Sequence, residues 1–152
     1  MTVADRFTLD TNILIYAIDT SEGKKHRLAS RLLLRAAIMR QPLMLQSLNE
    51  LASVVARKRF VPASQLAKIL QYHQRSFNVV PSSLEDLYAA VDAQQNHNLA
   101  FFDALLWATA KRSGCQVLLT EDFQDGRILE GVRFINPFKL RLADLKAIIG
   151  PI

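Results

Sequence analysis

Residues 7–14 read Phe-Thr-Leu-Asp-Thr-Asn-Ile-Leu, and this stretch contains both the first strand of the expected fold and the acid that ends it. Phe7–Leu9 is a short run of the kind that forms a buried strand, and Asp10 follows it directly. A short helix is predicted near Asn12–Ile18, so apolar segments flank Asp10 on both sides. Because a charge is costly to bury without a partner, Asp10 is our first candidate site residue.

The rest of the chain continues this alternation of short apolar runs and longer stretches with helical periodicity. Further strands are predicted at Leu43–Gln46, Phe77–Val80, Val117–Thr120 and Arg133–Asn136. Helices are predicted at Lys25–Met39, from Ser47 to about Arg59, from Pro62 to about Gln74, at Asp103–Ser113 and at Leu142–Ile149. A further helix, to about Asn96, is predicted to begin with a capping box at Ser82-Ser-Leu-Glu85. This order predicts an α/β fold, a three-layer α/β/α sandwich with a parallel sheet of about five strands.

Length and composition limit the class of protein. The chain has 152 residues, of which 50% are hydrophobic and 22% charged, which is typical of one globular domain spanning residues 1–152. A single cysteine, Cys115, excludes a disulfide framework and any multi-cysteine zinc site. No apolar run is long enough for a membrane helix and no secretory leader is recognisable, so we expect no membrane association and a reducing cytoplasm.

Charge is distributed unevenly along the chain. Residues 24–75, here called the basic segment, carry eleven Lys and Arg residues and one acid, Glu50, whereas the remainder carries eight basic and thirteen acidic residues. This asymmetry predicts a polyanionic partner together with an acidic site elsewhere in the molecule. A solvated, arginine-rich helical surface would give the same counts, so charge alone leaves both interpretations open.

Four acids are expected to meet at one edge of the sheet. Asp10 ends the first strand, and Asp122 lies two residues beyond the fourth. Glu50 falls in the first turn after the second strand, and Asp103 begins the helix that leads into the fourth strand. The carboxyl ends of parallel strands share one edge, where open α/β sheets bind their ligands. Asp125, three residues after Asp122, is a fifth candidate.

A cluster of this kind calls for a cation. Two carboxylates ~4 Å apart repel by roughly 4 kcal/mol at an effective dielectric constant of 20, so either some are protonated or a cation joins them. With no His or Cys in the group, an all-oxygen ligand set favours Mg²⁺ or Mn²⁺ over zinc. Such an ion would activate water for attack on a phosphodiester.

Each acid also has a structural explanation. Glu50 would complete a capping box that starts at Ser47, and Asp103 would favour the positive end of a helix dipole. Asp122 and Asp125 would be turn residues beside Gly126. One shared site accounts for all of these acids at once, whereas the structural explanations are independent of one another.

Four motifs carry a family resemblance. They are Leu9-Asp-Thr-Asn-Ile-Leu14, the acid in Leu48-Asn-Glu-Leu51, Phe102-Asp-Ala-Leu-Leu-Trp-Ala-Thr-Ala110 and Leu118-Leu-Thr-Glu-Asp-Phe123. Together, and in this order, they resemble the motifs of PIN-domain ribonucleases, most closely the VapC-like toxins of bacterial toxin–antitoxin pairs. The resemblance extends from the first strand to the last.

The resemblance implies roles for particular residues. It implies that Asp10, Glu50, Asp103 and Asp122 bind metal, and that Asn12 and Thr120 orient the first carboxylate and the backbone of the last motif. It further implies Mg²⁺- or Mn²⁺-dependent endonucleolytic cleavage of RNA, a homodimer, and inhibition by a cognate antitoxin.

Two rival functions and one RNA surface complete the predictions. A Mg²⁺-dependent phosphohydrolase of the aspartyl-phosphate type usually has Asp-x-Asp after its first strand, and Thr11-Asn12 lacks the second acid. A PIN-like module that binds RNA without cutting it is disfavoured by the complete set of acids. Candidate phosphate contacts lie in the basic segment, at Arg57, Lys58, Arg59, Lys24 and Lys25, with Arg27 and Arg31 as alternatives.

Overall fold

Six short strands and seven α-helices alternate along residues 4–152, which are the residues that the computed structural model describes. The strands are Phe7–Leu9 (β1), Pro42–Met44 (β2), Asn78–Val80 (β3), Val117–Leu119 (β4), Ile128–Leu129 (β5) and Val132–Ile135 (β6). The helices are Thr11–Tyr16 (α1), Lys24–Ile38 (α2), Leu45–Lys58 (α3), Ala63–Ser76 (α4), Leu84–His97 (α5), Phe101–Arg112 (α6) and Leu142–Ile149 (α7).

The strands form one four-stranded sheet and one separate pair. In the larger sheet, with the order β1-β4-β6-β5, β4 is parallel to β1 and β6, and β5 is antiparallel to β6. Strands β2 and β3 pair with each other in parallel, with Leu43 opposite Val79. The α/β prediction is confirmed, but the expected single parallel sheet of about five strands is instead four strands plus a pair. The missed strand, β5, has only two residues, too few to show any periodicity.

Apolar side chains cover both faces of the larger sheet. Phe7 and Leu9 pack in a core with α1, α2, α3 and α7, whereas Leu118 and Phe134 pack in a second core with α5 and α6. Successive side chains of a strand point to opposite faces, so the two cores lie on opposite sides of the sheet. Trp107 of α6 is buried in the second core and donates its indole N–H to the carbonyl of Leu129 at 3.1 Å. The three-layer arrangement is therefore present.

One of the two predicted capping boxes is wrong, and the other is shifted. Helix α3 begins at Leu45, so Ser47 lies inside it, fully buried, with its hydroxyl donating to the Leu9 carbonyl at 3.4 Å. Glu50 consequently has no capping role. The box expected at Ser82 forms one residue later, where Ser83 and Asp86 exchange hydrogen bonds of 2.9 and 3.2 Å. Arg112, at the end of α6, contacts the Asp86 carboxylate at 2.8 Å and so fixes the start of α5 against α6.

The carboxyl ends of three parallel strands are held in register. The N–H of Asp10 donates to the Leu119 carbonyl at 2.9 Å, and the N–H of Thr120 donates to the Ile135 carbonyl at 2.9 Å. Helix α1 begins directly after β1, and α3 directly after β2, so both helices leave from this edge. None of the helices within residues 4–152 combines the length and the apolar character needed to cross a membrane.

Candidate active site

Asp10 is the buried member of the acidic group. It is the N-cap of α1 and only 6% exposed. Its Oδ1 accepts the N–H of Thr11 at 2.6 Å, and its Oδ2 accepts the hydroxyl of Thr120 at 2.7 Å. Both carboxylate oxygens therefore have a donor, and the orientation of the side chain is set by the start of α1 and the end of β4.

Glu50 lies on α3 and is exposed. Its Oε2 accepts the hydroxyl of Thr11 at 3.0 Å, and its Oε1 accepts the amide of Gln46 at 3.3 Å. The Gln46 amide also donates to the Phe102 carbonyl at 2.8 Å, one residue before Asp103. Gln46 therefore connects two of the acidic motifs. The sequence had not singled it out, and no local pattern would have done so, because its contact with Phe102 joins residues 56 positions apart.

Asp122 lies in the loop that follows β4. Its Oδ2 accepts the side-chain amide of Asn12 at 3.0 Å, and its N–H donates to the hydroxyl of Thr120 at 3.1 Å. Thr120 therefore serves both the first carboxylate and the backbone of the last motif. The resemblance implied that Asn12 shares this task with Thr120. In the structure Asn12 contacts the Asp122 carboxylate and does not contact Asp10.

Asp103 is the third residue of α6 and is half-buried. Burial raises the pKa of its carboxyl above the usual range, and repulsion by Asp122 and by Glu50 raises it further. Asp103 is therefore near enough to both acids for their charges to act on it. The structure thus brings together all four acids that the topology placed at this edge.

Asp10 shows the largest electrostatic perturbation of the group. Burial raises its pKa from 3.8 to about 7, against the opposing effect of the hydrogen bonds from Thr120 and Thr11. Repulsion by Asp122 and Glu50 adds to the rise. Glu50 and Asp122 therefore act on both Asp10 and Asp103, so the four carboxylates form one coupled group.

No cationic side chain neutralises this group. Among residues 4–152, the ion pairs involve Glu121, Glu130, Asp86 and Asp144, and none of the four site acids takes part in one. Two buried amide oxygens beside the acids, Asn12 Oδ1 and Gln46 Oε1, also have no hydrogen-bond donor. The site thus holds an excess of negative charge and of unpaired acceptors, and it is suited to a cation.

The donor set fits a magnesium-type ion bound largely through water. As placed, no three Asp, Glu, His or Cys side chains of the described residues are close enough to surround one ion. The reason is visible in the contacts, since Asp10, Glu50 and Asp122 are each turned toward a hydrogen-bond donor. Mg²⁺ usually keeps several waters and takes only one or two carboxylates, together with substrate phosphates. All-oxygen donors and uncompensated charge fit that ion or Mn²⁺ and do not suit zinc.

Asp125, the fifth candidate, has a different position. Its Oδ1 accepts the N–H of Asn136 at 2.8 Å, which fastens the loop after β4 to the end of β6. It is not among the charges that shift the pKa of Asp10 or of Asp103. Its contact is that of a loop anchor.

The candidate RNA contacts divide into two groups. Arg57, Lys58 and Arg59 are exposed at the end of α3, and Lys24 is exposed at the start of α2. Lys25 instead forms an ion pair, because its ammonium lies 2.9 Å from Glu121 Oε2. The hydroxyl of Tyr16 donates to the other carboxylate oxygen of Glu121. Neither Tyr16 nor Glu121 had been singled out from the sequence.

Comparison with known proteins agrees with this fold. The PIN-domain family model matches residues 7–126. A search of curated proteins by sequence gave no significant match. Solved structures do match, among them VapBC2 from Rickettsia felis bound to a promoter DNA fragment, which is 16% identical with a TM-score of 0.63 over 84% of this chain and 96% of that chain.

Two other solved structures are similar. A toxin–antitoxin complex from Klebsiella pneumoniae is 23% identical, with a TM-score of 0.60 over 82% of this chain and 93% of that chain. The sarcin–ricin-loop-cleaving toxin VapC20 of Mycobacterium tuberculosis is 16% identical, with a TM-score of 0.58 over 76% and 91% of the two chains. At these identities the likeness concerns the fold.

Proposed function

The chain belongs to the PIN-domain family, and from that premise we propose that it is a Mg²⁺- or Mn²⁺-dependent endoribonuclease, the toxin of a toxin–antitoxin pair. The observation that carries this proposal is the coupled carboxylate group. Four acids from four separate segments lie at one edge of the sheet, and no Lys or Arg among residues 4–152 forms an ion pair with them. Burial raises the pKa of one of them, Asp10, to about 7. Such a cluster is unfavourable on its own and favourable around a divalent ion.

Each side chain has a distinct task in the proposed reaction. Asp10, Asp103 and Asp122 would hold the ion, and Glu50 would bind it or orient the attacking water. The ion, when bound, supplies a Lewis acid for the phosphate and lowers the pKa of water. Thr120 and Thr11 keep Asp10 oriented and favour its charged form through their hydrogen bonds. Asn12 does the same for Asp122.

The substrate class follows from charge. The basic segment has a large excess of Lys and Arg, and Arg57, Lys58 and Arg59 are exposed on the helix that carries Glu50. Cationic side chains near a nuclease site bind the phosphates of an RNA strand without reading its sequence. A nucleic acid is therefore the proposed substrate, and the resemblance of the four motifs to those of PIN-domain ribonucleases favours RNA.

The proposed partners are an antitoxin and a second copy of this chain. Two of the similar structures are described as VapBC proteins or as a toxin–antitoxin complex, and those descriptions support the assignment by fold. One face of α5 exposes large apolar side chains at helical spacing, at Leu84, Leu87, Tyr88 and Val91, which supports a protein interface. An antitoxin would act most directly by placing a basic side chain in the carboxylate group, in competition with metal.

A second candidate function is favoured by one observation. No three carboxylates of the described residues are placed close enough to share an ion, which suits a PIN-like module that binds RNA without cleaving it. Such a module would bind RNA equally well with or without a divalent ion.

Cleavage of single-stranded RNA by the purified protein separates the two candidates. We expect internal cleavage in Mg²⁺ or Mn²⁺, none in EDTA, and none for Asp10→Asn under either condition. Asp92→Asn, an exposed substitution on α5, is the matched control and should cleave at the wild-type rate. Metal-independent RNA binding with no cleavage would support the non-cleaving module.

Co-expression tests the toxin assignment. We expect the wild-type chain to inhibit growth, the Asp10→Asn variant not to do so, and the product of a small adjacent gene to relieve inhibition and co-purify. Harmless expression of an active nuclease without any such partner would contradict the toxin assignment while leaving the nuclease intact.

A further inference from the structure

Helix α1 contacts two consecutive acids of the loop after β4. Asn12 donates to Asp122 Oδ2 at 3.0 Å, and Tyr16 donates its hydroxyl to Glu121 Oε1. Asn12 and Tyr16 are four residues apart, so they occupy the same face of α1 one turn from each other. Two consecutive acids of the loop therefore form hydrogen bonds with side chains one turn apart on the same helix.

Lys25 of α2 completes the contact with Glu121. Its ammonium lies 2.9 Å from Glu121 Oε2 and 3.3 Å from the Tyr16 hydroxyl. It also stands 4.9 Å from the centre of the Tyr16 ring and 5.4 Å from that of Phe138, within the range of cation–π attraction. An isolated surface ion pair contributes little, but here the cation is held by several groups at once.

The loop that carries Glu121 and Asp122 is attached at its two ends and through one buried ring. Residues 120–125 belong to no helix or strand. The Thr120 N–H is bound to Ile135 at one end, and Asp125 is bound to Asn136 at the other. Between these anchors Phe123 is buried against Phe134 in the second core, with ring centres 4.6 Å apart. The two acids before it point the other way, toward α1 and α2, where Asn12 contacts Asp122 and Tyr16 and Lys25 contact Glu121.

We propose that Tyr16 and Lys25 are positioning residues which hold Glu121 away from the carboxylate group, so that Asp122 and not its neighbour serves the site. This inference rests on the function proposed above. Two acids follow Thr120 in the sequence, and Glu is longer than Asp by one methylene, so a free Glu121 is able to compete for the same cation. Because Tyr16 of α1 and Lys25 of α2 bind the Glu121 carboxylate, only Asp122 is left for the cation.

The experiment compares Lys25→Met and Tyr16→Phe with the wild type and with Lys68→Met. Lys68 is an exposed lysine of α4 that forms no ion pair with any of residues 4–152, so its variant controls for the loss of one charge. Three quantities are measured: amide hydrogen exchange of residues 120–125 without metal, Mn²⁺ binding by EPR without RNA, and kcat and KM for RNA cleavage.

We expect Lys25→Met and Tyr16→Phe to speed exchange in the loop while the thermal unfolding midpoint stays near that of Lys68→Met. We expect Mn²⁺ affinity and kcat to fall by about tenfold or more, which is usual for residues that orient metal ligands, with KM nearly unchanged. Lys25→Arg keeps the positive charge, so it should retain most of the slow loop exchange, the Mn²⁺ affinity and the kcat of the wild type. Once Glu121→Gln is present, Lys25→Met should cost little more, because the two residues act through one contact.

Other results would overturn the inference. Wild-type loop exchange and Mn²⁺ binding in Lys25→Met, with a raised KM and a weaker salt dependence, would make Lys25 an RNA contact. Unchanged exchange in both variants would also reject positioning. A wild-type protein that neither binds Mn²⁺ nor cleaves RNA would contradict the proposed function, and the exchange measurement would still decide whether Tyr16 and Lys25 hold the loop.

Discussion

The hydroxyl of Thr120 donates a 2.7 Å hydrogen bond to Oδ2 of Asp10, across 110 positions of sequence. This contact joins the ends of two adjacent parallel strands, β1 and β4, at the edge where the acids gather. It also stabilises the charged form of a carboxylate that burial would otherwise keep neutral.

Removing the charge of Asp10 should stabilise the metal-free protein. Its pKa is about 7 in the folded state against an ordinary value of 3.8, so its contribution to stability is present below pH ~4 and is lost as pH rises through about 7. Asp10→Asn should therefore raise the free energy of unfolding at pH 8 in EDTA, by at most about 4 kcal/mol, and have little effect at pH 4. Urea titrations at both pH values measure this. Equal stability of variant and wild type at pH 8 would contradict it.

Glu50→Gln should separate stability from activity. Glu50 is not a helix cap, and the substituted amide oxygen still accepts the Thr11 hydroxyl, so we expect a change in stability within about 0.5 kcal/mol. Loss of the negative charge should lower kcat for RNA cleavage by about a hundredfold or more. Single-turnover cleavage and thermal unfolding provide the two measurements. Wild-type turnover would remove Glu50 from the site.

Three cations at the end of α3 should bind RNA phosphates. Arg59 lies nine residues beyond Glu50, or about 13 Å along the helix, which is a reach of a few nucleotides. In an Asp10→Asn background, replacing Arg57, Lys58 and Arg59 by Ala should weaken the binding of all RNAs alike. The slope of log affinity against log salt should flatten by about 0.7 for each phosphate that the variant no longer binds.

A double variant provides the control for this charge removal. Lys139 and Lys146 are exposed and lie outside the basic segment, so their replacement by Ala should leave the salt slope unchanged. Equal slopes for the triple variant and the wild type would mean that Arg57, Lys58 and Arg59 do not bind RNA and are only solvated residues at a helix end.

His73 should make the protein less stable in mild acid. Burial lowers its pKa below 6.5, its Nδ1 is bonded to the Ile69 carbonyl, and its Nε2 has no partner. The unfolded chain therefore takes up a proton as pH falls below ~6.5 while the folded protein resists it, and stability is lost in that range. His73→Phe retains a ring to stack on Phe77 and should be less pH-sensitive than the wild type between pH 7 and 5.

The His73 effect must be separated from that of Asp10, which has the opposite sign in the same range. The difference in unfolding free energy between His73→Phe and the wild type, measured at each pH, contains the His73 effect without that of Asp10. His97→Gln is the control for the loss of a histidine elsewhere in the chain. A difference that does not vary between pH 7 and 5 would contradict the role of His73.

The positions of five strands along the chain were predictable because each of them is a short run rich in apolar residues. All five predicted strands are present. The rule that parallel strands end at one edge placed Asp10, Glu50, Asp103 and Asp122 at that edge, where the charges of Glu50 and Asp122 act on the carboxyls of Asp10 and Asp103. The acid group was thus a consequence of topology and did not require any knowledge of side-chain contacts.

What escaped prediction depends on contacts between distant residues. The capping box at Ser47 and Glu50 has a valid local pattern, but Ser47 is bonded to Leu9 and Glu50 to Thr11, and α3 starts two residues earlier than Ser47. Lys25 was counted among the candidate RNA contacts because no sequence pattern points to the acid that it binds. Its partner, Glu121, is 96 positions away.

The pairing of β1 with β4 has a consequence for the timing of synthesis. The ribosome adds Asp10 and Asn12 early. It adds their partners, Thr120 and Asp122, about 110 residues later, together with β4, the strand that pairs with β1. At roughly 5–20 residues per second, a growing chain carries an unfinished acidic edge for about 5–20 s. A chain interrupted before β4 has no means of completing that edge. If the protein cuts RNA, the messenger and the ribosome that produce it are therefore shielded from each copy until its synthesis is almost over.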